Sequence, residues 1–193
     1  MAEERRTRNT ERTRRAVLDA ATQVILARGA AVTLDQVASV AGVSKSGLVH
    51  HFGSRDQLVI AVVEDVQERF RETVLSYLDL SENYPGKMLR AYVRALCAGR
   101  SDAEAAHDVT SAAIWIGLHA IPAVAAVAEK HSAWWSEQFA VDGLSNERIQ
   151  IVRRAAEGVV VATMHGEEDV VSIATARRLL LELATDGTFP TPI

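Results

Sequence analysis

Between Ser44 and Arg55 the run SKSGLVHHFGSR sets two hydroxyls, an ammonium, a glycine, two adjacent histidines and a guanidinium within one short stretch. Groups of these types can hold a metal, move protons or grip a polyanion, and their spacing decides among the three. His50 and His51 are neighbours, and successive residues of a helix point about 100° apart, so the two imidazoles do not readily share one ion. Zinc helices use H-x-x-x-H spacing instead, and no cysteine or second histidine cluster completes a site here. His107 with Asp108, His119, His131 and His165 offer titratable groups, but the chain has no nucleophile elbow, HExxH or P-loop around them. No metal, cofactor or catalytic residue is expected. What remains is a set of donors suited to DNA, because basic side chains and helix N-termini fit phosphate oxygens and the Lys45 ammonium fits guanine edges.

The overall charge argues the other way until it is divided along the chain. All 193 residues carry a formal net charge of -4. Residues 1–56 hold nine Lys/Arg against six Asp/Glu, net +3, and the rest holds twelve against nineteen, net -7. A basic head on an acidic body is the distribution expected when only the head meets a polyanion. The single cysteine, Cys97, excludes an internal disulfide framework and reads as a buried spectator. With no apolar leader at the start, the protein is expected in the cytoplasm. Residues 109–128 carry no formal charge, but Pro122, His119, Gly117 and seven alanines, flanked by Asp108 and Glu129, do not make a membrane span. Two buried helices meeting near Ile121 and Pro122 fit better.

The elements that must position the donors are helices throughout. Val17, Leu18, Ala21, Val24 and Ile25 mark one buried face of a helix from about Thr10 to Arg28, stopped at Gly29. Thr33 and Gln36 have capping-box spacing before a short helix ended by Gly42. Ser44 caps the next, about Lys45 to His51, which is too short to persist alone and needs Val43, Leu48 and Phe52 as its anchors. Ser54 and Gln57 repeat the box, and Leu58, Val62, Val66, Phe70 and Val74 continue at steps of four toward Leu78. That helix is expected to act as a lever from head to body. After the break at SENYPGK, further helices are expected at about Gly86–Ala98, Asp102–His119, Pro122–Phe139, Asn146–Met164 and Asp169–Thr185, with an irregular tail. Six arginines between Arg5 and Arg15 form either a solvated helix end or an arm that reaches DNA.

Two short helices around a glycine turn make a helix-turn-helix. From Val17 to Val59 the sequence, including AGVSKSGLVHHFGSRDQLV, resembles the TetR (tetracycline-repressor) family: it keeps the alanines of the first helix, the Gly29 turn, the Thr33 cap and the Ala-Gly-Val-Ser turn. The closing His-Phe-x-Ser-Arg-Asp-x-Leu matches as well. The resemblance implies an all-α homodimer with a three-helix DNA-binding head and a larger helical body, about nine helices in all, that dimerises and binds a small effector. The division expected is 1–56 for the head and 57–193 for the body. Carried over by residue, Thr33, Ser44, His51 and Arg55 contact phosphates, while Lys45, Ser46, Gly47 and His50 face the groove. Two departures stand out: Val49 replaces a frequent aromatic, and Gly53 replaces the usual proline, which should loosen the turn.

In the body, Met88, Tyr92, Trp115, His119, Trp134, Phe139 and Met164 gather most of the large side chains. They read either as plain core or as an apolar effector pocket with polar handles. Val152, Ala156, Val159 and Thr163 stripe one late helix, and Ile173, Leu180 and Leu183 stripe the last. The resemblance implies that these stripes pair with their symmetry mates as a four-helix dimer interface; packing within one chain is the competing reading. The function expected is a ligand-responsive regulator, a repressor released from a palindromic operator by a small, mostly apolar molecule. A ligand-independent DNA-binding protein and, further off, an all-helical enzyme are the alternatives.

Overall fold

A computed structural model describes residues 2–98, 114, 118 and 121–185. Eight α-helices are present among the described residues: α1 Ala2–Arg28, α2 Leu34–Ala41, α3 Lys45–Phe52, α4 Arg55–Ser76, α5 Lys87–Leu96, α6 Pro122–Ala140, α7 Asn146–Met164 and α8 Val170–Leu183, with a 3-10 turn at Gly29–Ala31. The all-α expectation holds. The helix expected over Asp102–His119 lies outside the described residues, apart from Ile114 and Leu118, which are helical and buried. The tail beyond Thr185 lies outside them too. None of the described helices is long and apolar enough to cross a membrane.

α1 begins at Ala2, eight residues before the start that its apolar pattern marks. The added turns carry Arg, Glu and Thr and no apolar stripe, so periodicity does not register them. Arg and Glu are nonetheless strong helix formers, and the stretch holds neither Gly nor Pro.

The described residues group into two compact units. The first takes those within 1–67 and 113–129. Its core is the predicted face of α1, Val17, Leu18, Ala21, Val24 and Ile25, packed in one cluster with Leu48, Phe52, Leu58, Val59 and Val62. Ile114, Leu118, Val124 and Val127 belong to the same cluster. Polar contacts fix α1 further: Arg15 pairs with Asp65 of α4 at 2.7 Å, and the Arg14 guanidinium lies 4.7 Å from the centre of the Phe52 ring.

The second unit, within 68–112 and 130–193, is organised around the buried Arg90 and an aromatic cluster. Phe70, Tyr92, Trp135 and Phe139 meet with ring centres 4.9 to 5.6 Å apart. Arg90, buried, donates to Glu82 at 2.7 Å and to the carbonyls of Pro85 and Ala184 at 2.6 and 2.8 Å, so it closes the C-terminal end of α8. Glu82 also accepts from Arg94. The first amides of α5 have no local cap; Asp142 supplies one, accepting from Met88 N at 2.8 Å and Leu89 N at 2.9 Å. Burial pushes the Cys97 thiol up to about 11, which leaves it protonated, in keeping with a spectator.

Gly86 makes this junction possible. Its φ is +90°, and a Cβ there would stand 2.2 Å from the Ala184 carbonyl oxygen and 2.7 Å from Arg90 Nη1. Gly86→Ala combines backbone strain with overpacking against main chain, and should lower stability by roughly 2 to 4 kcal/mol. Urea denaturation followed by circular dichroism measures it; a loss under about 0.5 kcal/mol is the result that contradicts the junction.

Candidate nucleic-acid interface

α2 and α3 are each capped at the N-terminus by a side chain. Thr33 Oγ1 accepts from Gln36 N at 3.4 Å, and Gln36 Oε1 accepts from Thr33 N at 3.0 Å, the reciprocal box that the spacing predicts. α2 ends at Gly42, whose φ of +66° is left-handed. Ser44 then caps α3, accepting from Gly47 N at 3.0 Å. A hydroxyl used this way keeps its own proton for another acceptor; Thr33 is exposed with that proton available, while the Ser44 and Ser46 hydroxyls share one bond at 3.1 Å.

α3 has two distinct sides. Leu48 and Phe52 are buried, and Val43 packs against the same core. Lys45, Ser46, Val49 and His50 are exposed, while Gly47 and His51 are half-buried. The two imidazoles contact edge to face, with centres 5.7 Å apart. Gly47 is held by its neighbour as much as by space, because a Cβ there would meet Ser44 Oγ at 3.1 Å. The structure therefore brings Lys45, Ser46 and His50 to one surface, with Thr33 and Ser44 at the helix starts beside them.

Arg55 sits differently from the other predicted contacts. Its Nε donates to the Val32 carbonyl at 2.9 Å, one Nη donates to the Ala30 carbonyl, and the other pairs with Asp56 at 3.0 Å. Three of its five donors are thus used, two of them tying the start of α4 to the turn before α2 and the third held by its neighbour Asp56. Gly53 also plays a firmer part than its expected loosening of the turn. Its φ is +76° and its N–H donates to the Val49 carbonyl at 2.7 Å. Proline has φ near -65° and no N–H, so this turn excludes the residue usual there.

Sequence reasoning missed two residues at this surface. Asp35, in the first turn of α2, lies 2.8 Å from Lys45 Nζ. Arg14 covers the Phe52 ring that anchors α3. Both partnerships join residues of different helices, and no spacing rule within a helix reveals them.

Of the residues proposed for a pocket, Trp115 and His119 lie outside the described residues. Tyr92 and Phe139 belong to the packed aromatic cluster; the Tyr92 hydroxyl donates to Glu157 at 2.9 Å, and burial raises its pKa. Trp134 is half-buried against Trp135, with Arg71 5.0 Å from its ring centre, and Met88 and Met164 are half-buried. His131, on the turn of α6 before Trp134, is buried with Nδ1 unpartnered, and burial followed by the charges of Arg71 and Lys130 lowers its pKa.

The residues expected at a dimer interface each take part in packing or hydrogen bonding within one chain. Val152, Ala156, Ile173 and Leu180 are already buried within one chain. Val159 and Leu183 pack against that same core, and the Thr163 hydroxyl donates to Val159 O within α7. A repeating apolar face identifies what is buried but not whether a second chain buries it.

Comparison with known proteins agrees with this architecture. Residues 17–62 match the family described as bacterial regulatory proteins, tetR family, and residues 86–186 match the tetracyclin repressor-like C-terminal domain. The chain is 32% identical over 107 residues to the HTH-type transcriptional regulator BetI of Rhizobium meliloti (strain 1021), spanning 55% of this chain and only 50% of that relative. A TetR-family regulator from Rhodococcus sp. superposes with a TM-score of 0.72 at 20% identity, covering 90% of this chain and 97% of that one. A TetR-family member from Streptomyces coelicolor gives 0.69 at 19% identity over 89% and 97%. Multidrug binding protein EbrR, complexed with ethidium, gives 0.67 at 20% identity over 89% and 97%. At such identities these structures speak for the fold alone. Since the C-terminal match by itself covers more than half of the sequence, the chain belongs to the TetR family of bacterial regulatory proteins.

Proposed function

We propose that the protein is a homodimeric DNA-binding transcriptional regulator, a repressor that leaves a palindromic operator when a small, mostly apolar effector binds its body. The observation that carries the reading is α3, capped and anchored on one side while Lys45, Ser46 and His50 stand exposed on the other. In that role Lys45, Ser46, Gly47 and His50 face the major groove, and Thr33, Ser44 and His51 take phosphates. Arg55 contributes chiefly by fixing the head to α4, with two donors left for a phosphate. Two heads in successive grooves stand roughly 34 to 36 Å apart. α4, tied into the head by Arg55 and by Asp65, is the element suited to carry a shift from the body.

The outer faces of α7 and α8 are the better candidates for dimerisation. Ile151, Val171 and Leu179 are 54%, 73% and 46% exposed in the single chain, with Ala155 and Gly158 completing a small-residue face on α7. For the effector, support comes from the half-buried Trp134, Met88 and Met164 and from EbrR, whose structure holds ethidium. A coupling of roughly 1 to 3 kcal/mol between effector and operator weakens DNA binding about 5- to 150-fold.

Three outcomes are expected. Selection of genomic fragments at near-physiological salt enriches one palindrome with the wild type, while Lys45→Ala and His50→Ala lose about 1 to 3 kcal/mol each at their base pairs; a folded wild type that enriches nothing refutes the reading. The double variant Val171→Glu, Leu179→Glu sediments as a monomer at micromolar concentration, where the wild type is a dimer; an unchanged dimer moves the interface elsewhere. Ethidium, used as a probe, quenches tryptophan fluorescence and lowers operator affinity in parallel, whereas quenching without release separates binding from regulation.

A further inference from the structure

The face that carries α3 holds an acidic group that attraction to phosphate does not explain. Lys45 opens α3, and its Nζ lies 2.8 Å from Oδ2 of Asp35 in the first turn of α2, ten residues earlier. The side chains are 56% and 70% exposed. An ion pair this open is worth at most about 1 kcal/mol to folding, so stability gives little reason for it. At a surface that meets a polyanion, the carboxylate repels the ligand and occupies one of the three N–H donors of the only lysine on α3.

Resting on the DNA-binding reading above, we propose that Asp35 is a specificity-determining residue that acts together with Lys45. The pair presents a donor and an acceptor side by side. That arrangement complements a G·C edge in the major groove, where guanine O6 and N7 accept and cytosine N4 donates. Two N–H donors of Lys45 remain for guanine, and the carboxylate keeps free lone pairs for the cytosine amine. On DNA without that pair, Asp35 meets phosphates with no donor to face, so it penalises the wrong sequence more than the right one. Its task is discrimination against bulk DNA rather than affinity for the operator.

The test compares wild type, Asp35→Asn, Lys45→Ala and the double variant, each binding the selected palindrome and a scrambled duplex between 50 and 200 mM salt. Asn keeps the size and the polar first turn, and thermal melts establish that each variant is folded. On the scrambled duplex, Asp35→Asn should steepen the salt slope by about 0.9, equivalent to roughly 3.5-fold across that fourfold range, because Lys45 is freed for one more phosphate. The ratio of operator to scrambled affinity should fall at least about tenfold, and a G·C preference at one position of each half-site should relax. In the Lys45→Ala background the change in slope should vanish, because no ammonium remains to be freed. A wild type that selects its palindrome while Asp35→Asn keeps the same slope and the same ratio overturns the proposal. A wild type that selects nothing overturns the DNA-binding reading itself, so the two failures are distinct.

Discussion

Eight residues are too few for a helix to persist in water, since nucleation is costly and one or two turns do not recover it. Everything that α3 can present to DNA therefore depends on groups outside α3. Ser44 takes one of its unpaired amides, Leu48 and Phe52 bury its underside, and Arg14 covers the Phe52 ring. At its far end Gly53 accepts a backbone angle closed to proline, and Arg55 ties the next helix to the turn before α2. The exposed donors are few, and the apparatus that holds them occupies most of the head.

The same logic separates the roles of the charged residues. Arg15 and Arg55 use their guanidinium groups on Asp65 and on backbone carbonyls, so they fix the geometry of the head. Lys45 and Asp35 lie on the surface, with little effect on stability, and are free to be chosen for what they recognise. A basic head is thus not a uniform cationic patch: part of its charge is structural, and part is offset by the carboxylate beside Lys45.

Much of this was legible in the residue pattern because it rests on local rules. The Thr33 and Ser44 caps, the steps of four from Leu58 to Val74, and the bounds of α7 follow from spacing alone. What was not legible lies where partners are far apart in sequence or where the pattern is silent. The arginine-rich start of α1 has no apolar face to betray a helix. Arg55 reads as a phosphate ligand until its carbonyl partners, 23 and 25 residues away, are in place. Val152 and Ile173 are apolar at helical spacing whether one chain buries them or two, so burial had to be seen. Trp134 and Trp135 differ by one step around a helix, and only the second enters the core.

The cap on α5 reaches beyond thermodynamics. Its amides are closed by Asp142, 53 and 54 residues downstream, and Arg90 finishes its bonding on Ala184, 94 residues away. Contacts of such separation form only after long loops close, which slows folding. A ribosome that has delivered α5 has not yet delivered the groups that complete it. While the chain emerges, the α1–α2–α3 contacts of the head can form between near neighbours, whereas the body waits for its last helix. During synthesis, then, the contacts among α1, α2 and α3 precede those that close α5 on Asp142 and α8 on Arg90.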